Sequence, residues 1–336
     1  MDVPPLSETL EIRIKASLVA SSKQYAADDQ DFLNSFFVKD LEKVAAEARK
    51  QNLGKGCWTF LAGNDEFDVS KRIDVRTSIG TLFQHLSPAL IPPGRWPSKD
   101  HHPLVFSQQF AVNSIVQDLM KGTGLFAVNG PPGTDKTTLL RDLVAAVVIE
   151  RATRLSELGR PEEAFTGEKR WKVGKFTRVI STWKEELRGF EIVVASNNNG
   201  AVENVTLEIP GKDAVDPAWI EHTDYFSDVA TRLIDQPAWA MVATRLGNKA
   251  NRTDFMNRFW YGTEVNDAAE GHPLASGFLN LLRTFERQPA DWWQAVTRFK
   301  TALAQERGLR DERLRVYQIG LTQKATLGVA RSKRKR

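Results

Sequence analysis

The chain has 336 residues, of which 41% are hydrophobic and 26% charged, proportions that are ordinary for a globular protein and exclude a wholly disordered or fibrous one. Its longest apolar stretch, residues 143–149, is far shorter than the roughly 20 residues of a membrane span, and the first residues lack the basic and apolar segments of a signal peptide. The single cysteine, Cys57, excludes an internal disulfide and a cysteine-built metal site. We therefore expect a cytoplasmic protein.

The net charge of +4 is small but unevenly distributed. Residues 298–336 contain twelve Lys and Arg against three Asp and Glu. A basic end of this kind either neutralises nucleic-acid phosphates or forms a solvated tail, and both interpretations stay open. The adjacent His101 and His102 lack a neighbouring cysteine, so an ordinary polar loop is favoured over a metal site there.

An N-terminal accessory region of mixed α and β structure is predicted over residues 1–105. Helical spacing predicts a helix over residues 31–50. Its recurring apolar positions are Phe32, Phe36, Phe37, Leu41 and Val44. Short strands are predicted at residues 56–63 and 71–77. The proline-rich residues 86–103 then break regular structure, which predicts a linker and a domain boundary.

A P-loop nucleotide-binding core of the α/β class is predicted over residues 106–250. An amphipathic helix from Ser107 precedes a short apolar strand, a glycine- and proline-rich turn and a long helix, which is the order of a P-loop unit. After a polar segment, residues 190–196 form a continuous apolar run, typical of a strand buried on both faces of a parallel sheet. Two such strands joined by a helix predict an incomplete RecA-like core. Residues 251–336 are predicted to be a helical insertion with a basic tail.

The turn before the long helix matches most of the pattern GxxxxGK[ST]. In that pattern backbone N–H groups at a helix start surround the phosphates, lysine reaches the β and γ phosphates, and the hydroxyl residue ligates Mg²⁺. Lys136 and Thr137 are therefore the catalytic candidates, and Thr137 is the Mg²⁺ ligand. The predicted ATP-binding residues of the turn are Gly130, Pro131, Pro132, Gly133, Thr134, Asp135, Lys136, Thr137 and Thr138. The alternative is a glycine- and proline-rich turn without a ligand.

Asp135 stands where the second glycine of the pattern belongs. Its side chain crowds a loop that needs close backbone approach, and its carboxylate adds a negative charge beside the phosphates. Aspartate is also a favourable first residue for a helix, so the carboxylate itself can satisfy the N–H groups that would hold phosphate. The sequence therefore predicts a helix that survives and an ATP affinity that is reduced.

With Gln108, GPPGTDKTT and NNNGAVENV in the same order, the chain resembles superfamily 1 helicases. The similarity is greatest to the group that includes the nonsense-mediated-decay RNA helicase and its bacterial relatives with AAA-type motor domains. It covers roughly residues 94–261, about half of the chain. The resemblance implies the first part of an ATP-dependent motor domain that acts on single-stranded DNA or RNA.

The resemblance also implies roles for residues outside the P-loop. Gln108, followed by Ala111 and Val112 as in the family pattern QxxAV, is implied to recognise adenine, and a surface glutamine is the alternative. VVASNNNGAVENV resembles the motif that lines the nucleic-acid channel, although an Asn-rich turn remains the alternative. The implied nucleic-acid contacts are Asn198, Asn199, Gly200 and Arg245.

The second acidic motif of these helicases, an apolar strand that ends in Asp-Glu, holds Mg²⁺ and polarises water. We find no such strand after the P-loop; Glu150 follows an apolar run but falls in the predicted helix. The later motifs and the second motor domain are missing too, so this chain is expected to be the N-terminal part of a motor. A truncated reading frame, one half of a split gene with a missing C-terminal motor half as its partner, and an expressed piece stay open. The chain is expected to be impaired as an enzyme. Two alternatives are a non-catalytic nucleic-acid-binding or regulatory P-loop protein and another P-loop enzyme, such as a small-molecule kinase.

Overall fold

The computed structural model describes residues 38–63, 70, 72–74, 77–98, 103–129, 136–196, 199–262, 277–284 and 289–334. Contacts divide the chain into two compact units, Met1–Ala62 and Gly63–Arg336. Helices dominate both units where they are described, and the second unit also contains strands, so the chain has a mixed α and β architecture. The domain boundaries expected near residues 105 and 250 remain predictions.

The first unit contributes two described helices, α1 (Val38–Arg49) and α2 (Lys55–Leu61). Helix α1 confirms the described part of the helix predicted over residues 31–50. The strand predicted at residues 56–63 is wrong, because those residues begin within α2. Trp58 donates its backbone N–H to the Gly54 carbonyl, and the Thr59 hydroxyl donates to the Lys55 carbonyl. These local bonds override the strand preference of bulky and β-branched side chains.

The second unit contains nine described α-helices and one π-helix. The helices are α3 (Ile79–His85), α4 (Phe106–Leu119), α5 (Lys136–Ser156), α6 (Asn199–Glu208), α7 (Pro217–Ile220), α8 (Ser227–Ile234), α9 (Lys249–Phe255), α10 (Phe278–Thr284) and α11 (Pro289–Arg334), and the π-helix is Met256–Tyr261. The helix predicted from Ser107, the long helix after the P-loop and the helical C-terminal region are thus confirmed where they are described. Of the strand predicted at residues 71–77, residues 72–74 are not in a strand.

Helix α5 lies at the centre of the packing around the predicted site. On one side, buried Leu139 of α5 packs against Ala111 and Val112 of α4. On another side, Val144 and Ala145 of α5 pack against an apolar cluster that contains Trp96, Ile209 and Ala214. A third cluster, further along the chain, joins α8 to residues near the π-helix. The helix that follows the P-loop is therefore held by apolar contacts on two sides.

The sheet of the described residues is a two-stranded antiparallel ribbon, β1 (Phe165–Val173) with β2 (Phe176–Trp183). The parallel strands predicted before the P-loop and at residues 190–196 are not strands in the structure. In these segments Leu125 and Val128 of the first and Val193 of the second are 49%, 44% and 88% exposed. An apolar run favours a buried strand only if neighbouring strands supply its hydrogen bonds. Among the described residues, no strand pairs with either segment.

Over its described residues, 86–98 and 103, the proline-rich segment predicted to be a linker lacks long regular elements, as expected, but it packs into the second unit. Trp96 is 6% exposed, and its indole N–H donates to the Ala214 carbonyl at 2.7 Å. Arg95 donates through Nε to Oδ1 of Asp142 at 2.6 Å, and the Trp96 backbone N–H donates to the same oxygen at 3.2 Å. Residues 94–97 therefore join α5 to the segment before α7.

Gly94 has a backbone conformation that only glycine adopts without strain, with φ +80°. A Cβ atom at this position would clash with Cγ1 of Ile149 in α5. We therefore expect Gly94→Ala to lower the free energy of unfolding by about 1 kcal/mol or more and to lower the Tm by a few degrees. Gly80→Ala in α3 is the matched control, since nothing lies within 4 Å of its added Cβ. A Gly94→Ala protein that melts at or above the wild-type temperature would contradict this account.

Helix α11 has 46 residues, which corresponds to a length of about 70 Å. Its middle is fixed to the body by Arg310, which donates to the Ile91 carbonyl, and by the Tyr317 hydroxyl, which donates to the Phe83 carbonyl. Burial raises the pKa of Tyr317 above its ordinary value, which keeps the phenol protonated as a donor. Of the helices in the described part of the chain, none combines the length and apolar character needed to cross a membrane.

Candidate nucleotide and nucleic-acid sites

The first turn of α4 carries the predicted adenine reader. Gln108 is half-buried, and its Oε1 accepts the backbone N–H of Val105 at 3.0 Å, so its side chain caps the start of its own helix. The neighbouring Gln109 belongs to an interior network: its Nε2 donates to Oδ1 of the fully buried Asn113, whose Nδ2 donates to the His85 carbonyl. The structure thus gives the two glutamines different environments. Gln108 is the one placed at the helix start.

The three motif-bearing helices pack together through α5. The Ala111 and Val112 pair that follows Gln108 touches Leu139, in the first turn of α5. Val205 of α6 packs into the same cluster as Val144 and Ala145 of α5. Arg141 of α5 also lies 3.4 Å from the Glu208 carboxylate at the end of α6. The structure therefore brings the segments of the glutamine motif and of the Asn-rich motif onto opposite flanks of α5.

The predicted P-loop lies mostly outside the described residues. Gly130, Pro131, Pro132, Gly133, Thr134 and Asp135 are not described, and α5 begins at Lys136. The side chains of Lys136 and Thr137 are likewise not described, whereas Thr138 is half-buried in the first turn. A helix start directly after a glycine-rich turn is the arrangement that binds phosphate through backbone N–H groups. The ATP and Mg²⁺ assignments at these residues remain predictions.

Glu150, which the sequence places in the helix rather than on an acid-ended strand, is part of α5. Its Oε1 accepts two hydrogen bonds from the Arg154 guanidinium, at 3.1 and 3.0 Å. This is an ordinary (i, i+4) helix ion pair. No group of three or more His, Cys, Asp or Glu side chains that could hold a metal ion occurs within the described ranges.

The predicted nucleic-acid contacts fall at two places. Asn198 lies outside the described residues. Asn199 and Gly200 are the first two residues of α6, and the Asn199 side chain is not described. Arg245 is half-buried and lines a small pocket with Thr206 of α6 and Asp254 of α9. The same helix therefore carries the Asn-rich motif at its start and lies near Arg245 further along. Contact of these residues with nucleic acid remains a prediction.

The β ribbon was not predicted from the sequence, since residues 153–188 were interpreted only as a polar segment. The available signal was two runs rich in aromatic and β-branched residues, separated by the two residues Gly174 and Lys175. Gly174 has φ +58°, as a two-residue hairpin loop with glycine first requires. Between residues 165 and 183 the ribbon has five Lys and Arg but one acidic residue. It is therefore a concentrated positive surface.

Comparison of the chain with protein-family models, with curated proteins and with solved structures finds no match.

Proposed function

We propose that the chain is the N-terminal part of a superfamily 1 helicase-like ATPase that acts on nucleic acid, with a nucleotide site impaired by Asp135. Lys136 would contact the phosphates, Thr137 would ligate Mg²⁺, and Gln108 would recognise adenine. When bound, Mg·ATP would supply the phosphoryl group whose transfer drives this class of protein. The RecA-like parallel sheet of this class belongs to this proposal.

The observation that carries the proposal is the packing of α4, α5 and α6 into one group. Three sequence motifs, separated by up to about ninety residues, come to lie on helices that share two apolar clusters. Each motif lies at the N-terminal end of its helix or directly before it. Helix N-termini carry unpaired N–H groups and a positive dipole end, which suit phosphate and nucleotide ligands.

The second candidate is a non-catalytic nucleic-acid-binding or regulatory protein. The strongly basic ribbon and the aspartate within the phosphate loop favour it, because one feature attracts nucleic acid and the other repels phosphate. Both candidate functions have nucleic acid as the partner. They differ in whether binding of nucleic acid depends on a bound nucleotide. Single-stranded binding that is salt-sensitive and unchanged by Mg·ATP supports the second candidate, whereas a shift in that affinity on adding Mg·ATP supports the first.

We expect Lys136→Ala to change Mg·ATP affinity by less than about threefold in the present sequence. With Asp135 already repelling phosphate, little affinity is left for the lysine to contribute, so its removal costs little phosphate binding. Isothermal titration calorimetry on the two proteins measures the difference. Lys169→Ala on the exposed ribbon is a control for the loss of one positive charge. A loss of tenfold or more specific to Lys136→Ala would show that the loop already holds phosphate.

A further inference from the structure

The β ribbon stands out from the body with both faces open. Every residue of its two strands is exposed except Thr182, which is half-buried. A two-stranded ribbon without a covering layer is only marginally stable in water, yet this one exposes large side chains, with Trp171 at 45% and Phe176 at 60%. Because exposed aromatic rings on an uncovered ribbon are unfavourable in water, we expect another molecule to cover them.

The base of the ribbon is fixed to the C-terminal half of α5. The Phe165 and Trp183 rings lie 4.6 Å apart, and the Arg151 guanidinium lies 5.2 Å from the Trp183 ring centre. Arg154 donates to the Glu186 carbonyl just beyond the ribbon, where Leu187 is 1% exposed. The base is thus anchored, and strands of eight and nine residues project by up to about 30 Å.

The charge of the ribbon suits a polyanion. Glu168 is its only acidic residue between residues 165 and 183, and it pairs with Arg170 at 2.7 Å. The ribbon therefore carries a net charge of +4, five cations less one anion, which equals the net charge of the whole chain. Its cations are Lys169, Arg170, Lys172, Lys175 and Arg178.

The strand register places aromatic rings and cations on the same face. Trp171 pairs with Arg178, Val173 with Phe176 and Lys169 with Ile180. Because alternate residues of a strand share a face, these six side chains form one surface, which we call the aromatic face. The opposite face carries Arg170, Lys172 and Val179, but neither Trp171 nor Phe176. Only one face therefore combines flat rings near the tip with positive charge.

We propose that the aromatic face binds single-stranded nucleic acid, with bases stacked on Trp171 and Phe176 and phosphates held by Lys169 and Arg178. This inference deepens the proposed function and rests on nucleic acid being its partner. Proteins that bind single strands without sequence preference combine a positive surface with aromatic side chains on which bases stack. An acidic peptide would use the same charge but would not need the rings.

The test is fluorescence anisotropy of a labelled oligo-deoxythymidine of about 15 nucleotides with the full chain. We expect Trp171→Ala and Phe176→Ala each to weaken binding by about tenfold, since one stacked base is lost in each. Lys169→Gln with Arg178→Gln should lower the slope of log K against log salt by about 1.4, for two phosphate contacts. The matched control, Arg170→Gln with Lys172→Gln, removes equal charge from the opposite face and should change affinity less than about threefold at roughly 150 mM salt.

Equal losses from the two charge pairs, with no effect of Trp171→Ala and Phe176→Ala, would overturn the proposal for the ribbon and leave nucleic-acid binding elsewhere on the chain intact. Equally tight binding of labelled polyglutamate would also overturn it, because the rings would then have no role. No oligonucleotide binding by the wild-type chain at about 50 mM salt overturns the ribbon proposal as well, while the nucleotide site is tested separately with Mg·ATP. Far-UV circular dichroism of each variant checks that the fold is retained.

Discussion

Replacing Asp135 with glycine is expected to raise the affinity of the chain for Mg·ATP by up to about a thousandfold. Two like charges about 4 Å apart repel by roughly 4 kcal/mol at an effective dielectric constant near 20, and each 1.4 kcal/mol corresponds to a tenfold change in affinity. Glycine also removes the side chain that crowds the loop. Calorimetric titration of Mg·ATP into both proteins measures the gain.

Asp135→Asn separates the two effects, because asparagine removes the charge and keeps the size. We expect Asp135→Asn to recover part of the increase in Mg·ATP affinity that Asp135→Gly gives. The difference in affinity between the two variants then measures the effect of side-chain crowding. Asp235→Gly is a control for the loss of a carboxylate elsewhere, at a position with φ +54° where glycine is well tolerated. If the affinity stays unchanged in Asp135→Gly, Asp135 is not the cause of an impaired site.

Arg95→Ala is expected to lower the free energy of unfolding by about 2 kcal/mol. The Asp142 side chain is 5% exposed, and without Arg95 its carboxylate would keep the hydrogen bond from the Trp96 backbone N–H. Breaking a buried ion pair typically costs about 3–5 kcal/mol, and we take a lower value because the Arg95 side chain is 39% exposed. Urea unfolding followed by circular dichroism measures the change.

Asp142→Asn should cost less, about 1 kcal/mol, because it keeps an acceptor for Trp96 and leaves the half-exposed Arg95 in reach of water. Arg160→Ala is the control, since the Arg160 and Glu163 side chains of that pair are 73% and 42% exposed and exposed pairs contribute little. If Asp142→Asn destabilises the chain more than Arg95→Ala does, the buried carboxylate left unpaired by Arg95→Ala is not the main cause of the lost stability.

Local patterns predicted the longer helices α1, α4, α5 and α11 but assigned the residues of α2 to a strand. The apolar spacing before the predicted P-loop correctly predicted α4, and a helix was also correctly predicted after it, which the structure describes from Lys136 as α5. Such elements depend on residues three or four positions apart, which the sequence displays directly. Of the predicted site, Gln108, Thr138 and Arg245 can be placed in the structure with their side chains.

Features that depend on distant residues were not predictable in this way. The docking of Trp96 onto Ala214 joins residues 118 positions apart, so composition alone suggested a linker. The apolar residues 190–196 predicted a buried strand, but burial requires neighbouring strands that no local pattern supplies. The sequence did not predict the ribbon because both of its faces are exposed. Its charged residues interrupt the alternation of apolar and polar residues that predicts a strand.

The central claim, a P-loop whose phosphate site is blocked by Asp135, is tested most directly by a cycle of four proteins titrated with Mg·ATP. These are the wild type, Asp135→Gly, Lys136→Ala and the double variant. We predict strong binding only in Asp135→Gly and its loss, by about a hundredfold or more, when Lys136 is also replaced. Weak and equal binding in all four proteins would contradict the claim, because glycine would then restore no phosphate site for the lysine to serve.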